Sequence, residues 1–529
     1  MRVISKQVAA SILAGVRRRL AAEEGYTMLI ALGVLVVSSL LVAAAYSAVQ
    51  GDVRLTKRDL DAKRAYYAAR AGVNKFLYQL NQQPNHWQTC PTQATKVAIA
   101  PGSGELYTFR PVPANGASAC SQTNPIGTMI DEETGTFRMQ FTGYSGNPEV
   151  SRGLVVSFRK DTPLDYLWFT VYEALDSTIS GFSGCDEFYR DGRPSYCNIN
   201  WVSGDDVNGP MYTQDQYKIS GSPIFGRNSG DQIESSAPGT DPEDICTGYD
   251  CGSAQLVGTP VPGAPVISPP PDNSQLLTDA QNYGPPLPQP YSGVTTITLS
   301  GNTAMMQSCP SPTQPTSCQS SNVNIATYPI LYVKNATGCT PTYSPFSVAY
   351  PPNGTCGNVY VSGTYSSSLT IAAENDIILK GNLTRSGNTA VLGLVANNFV
   401  RVMHGVGSGR GSTQGDCNGV TNVGSQTLTN PTFEAAILAL KHSFIVDNYD
   451  CGAPLGELTI NGAIAQLFRG TVGTSDYSGV DSGYLKDYNY DDRFEVTQPP
   501  YLFNIASSAW HVYRETLCVP SGTAPSTAC

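Results

Sequence analysis

The chain has 529 residues, with 42 acidic against 32 basic side chains and only 14% charged residues in all, where an ordinary soluble domain has about a quarter. With 51 Gly, 37 Pro and 29 Tyr against 16 Phe, it reads as a β-rich, turn-rich extracellular protein rather than a cytosolic enzyme, and it is long enough for roughly two to four domains. The first 75 residues hold 12 Lys/Arg and 5 Asp/Glu while the remaining 454 hold 20 and 37, so the bulk of the chain lacks the clustered cations that nucleic acid binding needs.

Residues 1–25 read as a leader in which Arg17, Arg18 and Arg19 precede Glu23, Glu24 and Gly25. No charge occurs from Tyr26 to Gly51. About 20 apolar residues at 1.5 Å each cross a bilayer core of roughly 30 Å, so this run predicts a membrane span. A conventional secretory signal has its apolar core nearer the N-terminus and a small-residue cleavage site after it. A cut within Ala43–Ala45 would discard the segment that best explains the helical character of the residues after it. Val53, Leu60, Tyr67 and Ala71 keep spacings of seven or four, charges of both signs lie between them, and no proline occurs from there to Pro84. One helix over 26–82 is predicted, about 80 Å long, whose second half must project from any bilayer. Asn81–Asn85 supplies its stop.

Gly25 followed by Tyr26, Thr27 and an apolar helix resembles the cleavage and assembly segment of type IV prepilins, where a prepilin peptidase cuts after the Gly and the new N-terminus is methylated. AYYAARAGVNKFLYQL, residues 65–80, resembles the AxxAAxAGxxxAxxxL pattern of PilX-like minor pilins and of the large tip pseudopilins of type II secretion. The resemblance implies Gly25 and Tyr26 as processing residues, and other pilin-like subunits and pilus assembly machinery as partners. Major pilins carry Glu at the fifth mature position, where it neutralises the N-terminal amine of a neighbouring subunit. This chain has Ile30 there, a departure that fits a tip or priming subunit better than a repeating one.

Residues 83–165 alternate strand-like runs with turn residues. Phe137, Met139 and Phe141, then Leu154, Val156 and Phe158, predict antiparallel strands with one buried face. Such a sheet would cover the apolar stripe of Leu60–Leu80, as the pilin resemblance implies.

Over residues 166–529 short apolar runs are separated by Gly and Asn. An apolar residue, one polar residue and Gly recur at Val207, Ile219, Leu299, Val361, Leu379 and Ile460. Gly permits a tight corner and the apolar residue points inward, which predicts a parallel β-helix (β-solenoid), with a β-sandwich as the alternative. Pro260 to Pro290 contains ten prolines and reads either as a stiff linker or as an extended crossover on the solenoid's flank. AWHVYRETLC, residues 509–518, reads as a terminal helix or cap.

All 14 cysteines lie between Cys90 and Cys529, an even count that suits disulfides in an oxidising compartment and places the bulk of the chain outside the cytoplasm. Pairing sequence neighbours offers Cys90 with Cys120, Cys185 with Cys197, Cys246 with Cys251, Cys309 with Cys318, Cys339 with Cys356, Cys417 with Cys451 and Cys518 with Cys529, although spacing alone leaves connectivity open. No CxxC occurs, and neither a metal nor a cofactor is expected. Solenoids that cleave polysaccharides place carboxylates on one face, and Asp205, Asp206, Asp487, Asp491 and Asp492 are the candidates for that alternative. The expectation is a non-enzymatic α+β, mainly β protein, single-pass in the bacterial cytoplasmic membrane, that primes or caps a pilus or pseudopilus and presents a surface for contact.

Overall fold

The computed structural model describes residues 24–131, 134–160, 162–247, 251–285, 291–311, 318–406, 414, 417, 423–476, 479–502 and 509–518. Residues 1–23 of the expected leader and Cys529 lie outside them.

The chain is mainly β, with one long apolar helix at its N-terminal end. That helix runs Glu24–Gln82, about 90 Å at 1.5 Å per residue. Pro84, which has no N–H to donate, stands just past its end. The C-terminal part packs on an antiparallel sheet through Ala65, Ala69, Val73, Phe76 and Leu80, a stripe at spacings of four and three. Strand order in this sheet is Gln93–Ala98, Leu106–Val112, Thr136–Ser145, Val150–Lys160 and Trp510–Cys518. Phe137, Met139 and Phe141 and their neighbours Leu154, Val156 and Phe158 are buried beneath the helix, as their alternation requires.

Trp510–Cys518 corrects the expected terminal helix or cap. It is a strand, antiparallel to Val150–Lys160 in the first sheet, so the segment 166–529 does not stay together. Its alternating Trp510, Val512 and His511, Tyr513 suits an edge strand with one covered face.

The second sheet is large and curled, with 23 strands among the described residues, and its main ladders are parallel. One line of register partners runs Leu299, Gly363, Leu383, Phe433, Ile460, Tyr488, Val207, Phe225 and Leu256. A second runs Leu331, Ile371, Leu394, Ile437, Ile464, Trp168, Met211 and Ile233. Apart from the half-buried Gly363 and Leu256 in the first, both are buried apolar columns. Parallel pairing of this extent does not match a Greek-key sandwich, which is built on antiparallel pairs. Of the recurrent apolar-polar-Gly positions, Val207, Leu299 and Ile460 share the first line, and Val361 pairs with Leu379. Ile219 instead pairs with Trp201 in a separate two-stranded piece.

The order of layers is not the order of sequence. Trp168–Tyr172 pairs on one side with Ile464–Phe468 and on the other with Met211–Thr213, so the chain enters the stack in its middle. It proceeds outward to Thr259–Pro262, then crosses to the opposite end at Tyr291–Ser292 and works back. The two end strands are nine steps apart along the second line, about 43 Å at 4.8 Å per step.

The Pro-rich segment makes this crossing. Its described part holds the helix Ser274–Tyr283, so it is neither a bare linker nor fully extended. Asn273 pins it to the flank: its side-chain amide donates to the carbonyls of Ala373 (2.8 Å) and Val395 (3.1 Å) and accepts from Tyr332 Oη (2.8 Å), while its N–H donates to Asn397 (2.8 Å). This cover, together with residues 499–502, which lie against Thr370 and Gly393, explains why Leu369–Ala373 and Leu392–Ala396 are buried at every residue rather than alternating.

The two ends of the stack differ from its parallel middle. At one, Thr303–Cys309 folds antiparallel onto Val294–Gly301, Gln319–Asn324 folds antiparallel onto Thr303–Cys309, and Cys309–Cys318 ties the two hairpin strands. At the other, Thr259–Pro262 carries Pro260 and Pro262, which offer no N–H to a newcomer. Disulfides also join Cys90–Cys120, Cys185–Cys197, Cys246–Cys251, Cys339–Cys356 and Cys417–Cys451.

Candidate functional site: an apolar helical surface on a packed base

The long helix changes role along its length. From Met28 to Leu55 its large apolar side chains are 50–72% exposed. That exposed length is about 40 Å, enough to cross a bilayer core of roughly 30 Å. One helix among the described residues is long and apolar enough for this. Gly25 and Tyr26 fall in its first turn. Ile30 lies on the exposed part.

From Asp61 onward the helix is anchored by close approach. A Cβ on Gly143 would lie 1.9 Å from the Ala65 carbonyl oxygen, and one on Gly72 would lie 2.6 Å from the Tyr107 ring. Only small residues let the helix backbone lie this near the sheet. Ala65, Ala68, Ala69 and Gly72, four of the five residues fixed by the AxxAAxAG pattern, are therefore packing residues. Phe76 stands where that pattern has Ala. It fills the centre of an aromatic cluster, with ring centroids 5.3 Å from Phe109, 5.4 Å from Phe158 and 5.8 Å from Phe141, each such pair contributing about 0.5–1.5 kcal/mol beyond area burial.

The base is tied to the last strand. Asn81 Nδ2 donates to the Trp510 carbonyl (3.0 Å), the Trp510 N–H donates to Asn81 Oδ1 (2.7 Å), and Trp510 Nε1 donates to the Pro84 carbonyl (3.0 Å).

A buried polar seam lies where the two halves of the parallel stack meet, and the sequence reading missed it. Glu173 accepts from Trp168 Nε1 (2.8 Å), Thr170 Oγ1 (2.7 Å), Trp201 Nε1 (3.1 Å) and Arg469 Nη1 (3.1 Å). Asp215 pairs with Arg193 and accepts the N–H groups of Glu173 (3.0 Å) and Tyr189 (2.9 Å). Burial pushes the Asp215 carboxyl above the usual range even beside Arg193. Lys486, 2.6 Å from Asp205, is pulled down by burial. These charges come from residues up to 296 apart in sequence, so no local spacing marks them.

The carboxylates singled out in sequence do not form one site. Asp205 is committed to Lys486, Asp491 to Arg493 and Arg385, and Asp492 to Arg227. Asp206 and Asp487 are direct register partners on adjacent parallel strands, and Asp487 accepts from Thr459 (3.0 Å) and Asn489 (3.0 Å). Cys417, Cys451 and Asp450 lie close enough to suggest metal ligands, but both sulfurs are spent in the Cys417–Cys451 bond.

No protein-family model matches the chain, and no curated protein does. Among solved structures it is similar to the competence-associated pilin ComZ from Thermus thermophilus, at 13% identity over 86% of this chain and 97% of that one, with a TM-score of 0.26.

Proposed function

We propose that this chain is a prepilin-type, membrane-anchored minor subunit that primes or caps a type IV pilus or pseudopilus, carrying a disulfide-bonded β-solenoid outside the cytoplasm. The observation that carries this reading is the division of the long helix into an exposed apolar half from Met28 to Leu55 and a half seated on an antiparallel sheet. A helix serving only as a tether would not need the second half. A helix serving only as a core element would not expose the first.

In this reading the peptidase cuts between Gly25 and Tyr26, the apolar half passes from the membrane into a bundle of pilin-like subunits, and Ile30 in place of the neutralising Glu suits a single copy at a special position. The parallel lines through Ile460 and Ile464 are the solenoid walls, and Pro260 and Pro262 keep the Thr259–Pro262 edge from growing by strand addition. The acidic candidates act as structural ion-pair members, since Asp205, Asp491 and Asp492 each face a cation.

Mass spectrometry of the N-terminus of the chain purified from membranes tests the reading. A mature chain beginning at Tyr26 is expected; an intact Met1, or a cut near Ala45, overturns it.

A further inference from the structure

The sheet face turned away from the helix carries a groove of about 970 Å³. One wall is the segment Pro113–Cys120, held by the Cys90–Cys120 disulfide and by the Ala114 N–H to the Thr128 carbonyl (2.9 Å). The opposite wall is the last strand, through Tyr513, Arg514 and Thr516.

Register sets out the floor. Val112, Arg138, Ser157 and Arg514 form one row across four strands, and Arg110, Gln140, Val155 and Thr516 form the next. At 4.8 Å per strand the Arg138 and Arg514 backbones stand about 10 Å apart. Arg110 Nε donates to Gln140 (2.8 Å). Arg138 Nε is buried without a hydrogen-bond partner among the described residues. Among those residues the groove has one acid, Asp131, which accepts from the Thr134 N–H (3.3 Å).

Three guanidinium groups thus line one groove of an ectodomain whose bulk is acidic. Guanidinium forks match carboxylates bidentately, and a buried guanidinium nitrogen without a hydrogen-bond partner among the described residues is a cost that a ligand carboxylate can remove. Ser157 stands between Arg138 and Arg514, Gln140 lies beside Arg110, and Val112, Pro111 and Val155 add apolar surface to the groove. That spacing disfavours a polymer charged at every unit, which the acidic bulk also repels, and suits an extended peptide whose acidic side chains are separated by apolar ones.

We propose that this groove is a docking site for an acidic, extended peptide segment of a partner protein, held by Arg110, Arg138 and Arg514. The site is independent of whether the helix enters a fibre.

The test uses the full chain in detergent micelles and a fluorescein-labelled alternating Glu-Val decapeptide, with polygalacturonate and oligothymidylate as competing probes, read by anisotropy. The expected result is saturable peptide binding that weakens with salt, a rise in Kd of threefold or more in Arg514→Gln, and of tenfold or more in Arg138→Gln/Arg514→Gln. Lys441→Gln, an exposed cation outside the groove, leaves Kd unchanged. Arg514 is itself exposed, so its single variant keeps the test valid if the double variant is misfolded by circular dichroism. Absence of peptide binding, a Kd unmoved in Arg514→Gln, or tighter groove-dependent binding of polygalacturonate or oligothymidylate than of the peptide overturns the proposal.

Discussion

Asn81 and Trp510, 429 residues apart, exchange two hydrogen bonds, side-chain amide to backbone in both directions. The end of the long helix is thereby fixed to the strand that completes its sheet, and the Trp510 ring packs against Phe137 at 4.9 Å.

Replacing Asn81 with Ala leaves the Trp510 N–H and carbonyl without these partners, at a cost of about 1–3 kcal/mol. Hydrogen exchange should show the loss first in the amides of Trp510–Cys518, with protection in the parallel stack unchanged.

Gly143→Val should detach the helix from the sheet. Its Cβ alone would overlap the Ala65 carbonyl oxygen, and backbone on both sides leaves no flexible atom to yield. A loss of about 3 kcal/mol or more is expected, on the order of the largest single-site effects, with protease cleavage appearing between Leu55 and Leu80.

Arg469→Met should cost about 3–5 kcal/mol because it strands the Glu173 carboxylate in a fully buried site. Adding Glu173→Gln should recover part of that loss, since the pair is then removed together. A double-mutant cycle in denaturant midpoints measures the coupling, and additive effects would contradict the assigned pairing.

Alkali should expose a class of late-titrating tyrosines. Burial pushes Tyr360 up to about 12, and burial together with the Asp447 carboxylate raises Tyr343 well above its ordinary value. A phenol raised in the folded state keeps its full stabilising contribution below the unfolded pKa of about 10 and loses it as pH climbs through the folded value. Tyrosinate absorbance should therefore rise in two stages, the second coinciding with loss of ellipticity near pH 12.

The elements that a short window can hold were legible. The uncharged run after Gly25 marks the exposed half of the helix, and the alternation at Phe137–Phe141 and Leu154–Phe158 marks the face beneath it. What escaped depends on distant partners. Trp510–Cys518 has the length and mixed polarity of a helix turn or a strand, and only the open edge at Val150–Lys160 decides between them. Glu173, Asp215 and Arg469 look like ordinary surface charges until the stack joins segments 168–215 and 464–469. Asn273 lies in a proline-rich run that reads as a linker because nothing local reveals the four groups that hold it.

The entry of the chain into the middle of its own stack has a consequence for biogenesis. A protein delivered N-terminus first presents Trp168–Tyr172 early, but one flank of that strand stays unsatisfied until Ile464–Phe468 arrives nearly three hundred residues later. Folding of the large sheet is thus deferred to the end of synthesis, and a truncated product, lacking the returning strands, would display open edges that quality-control proteases can recognise.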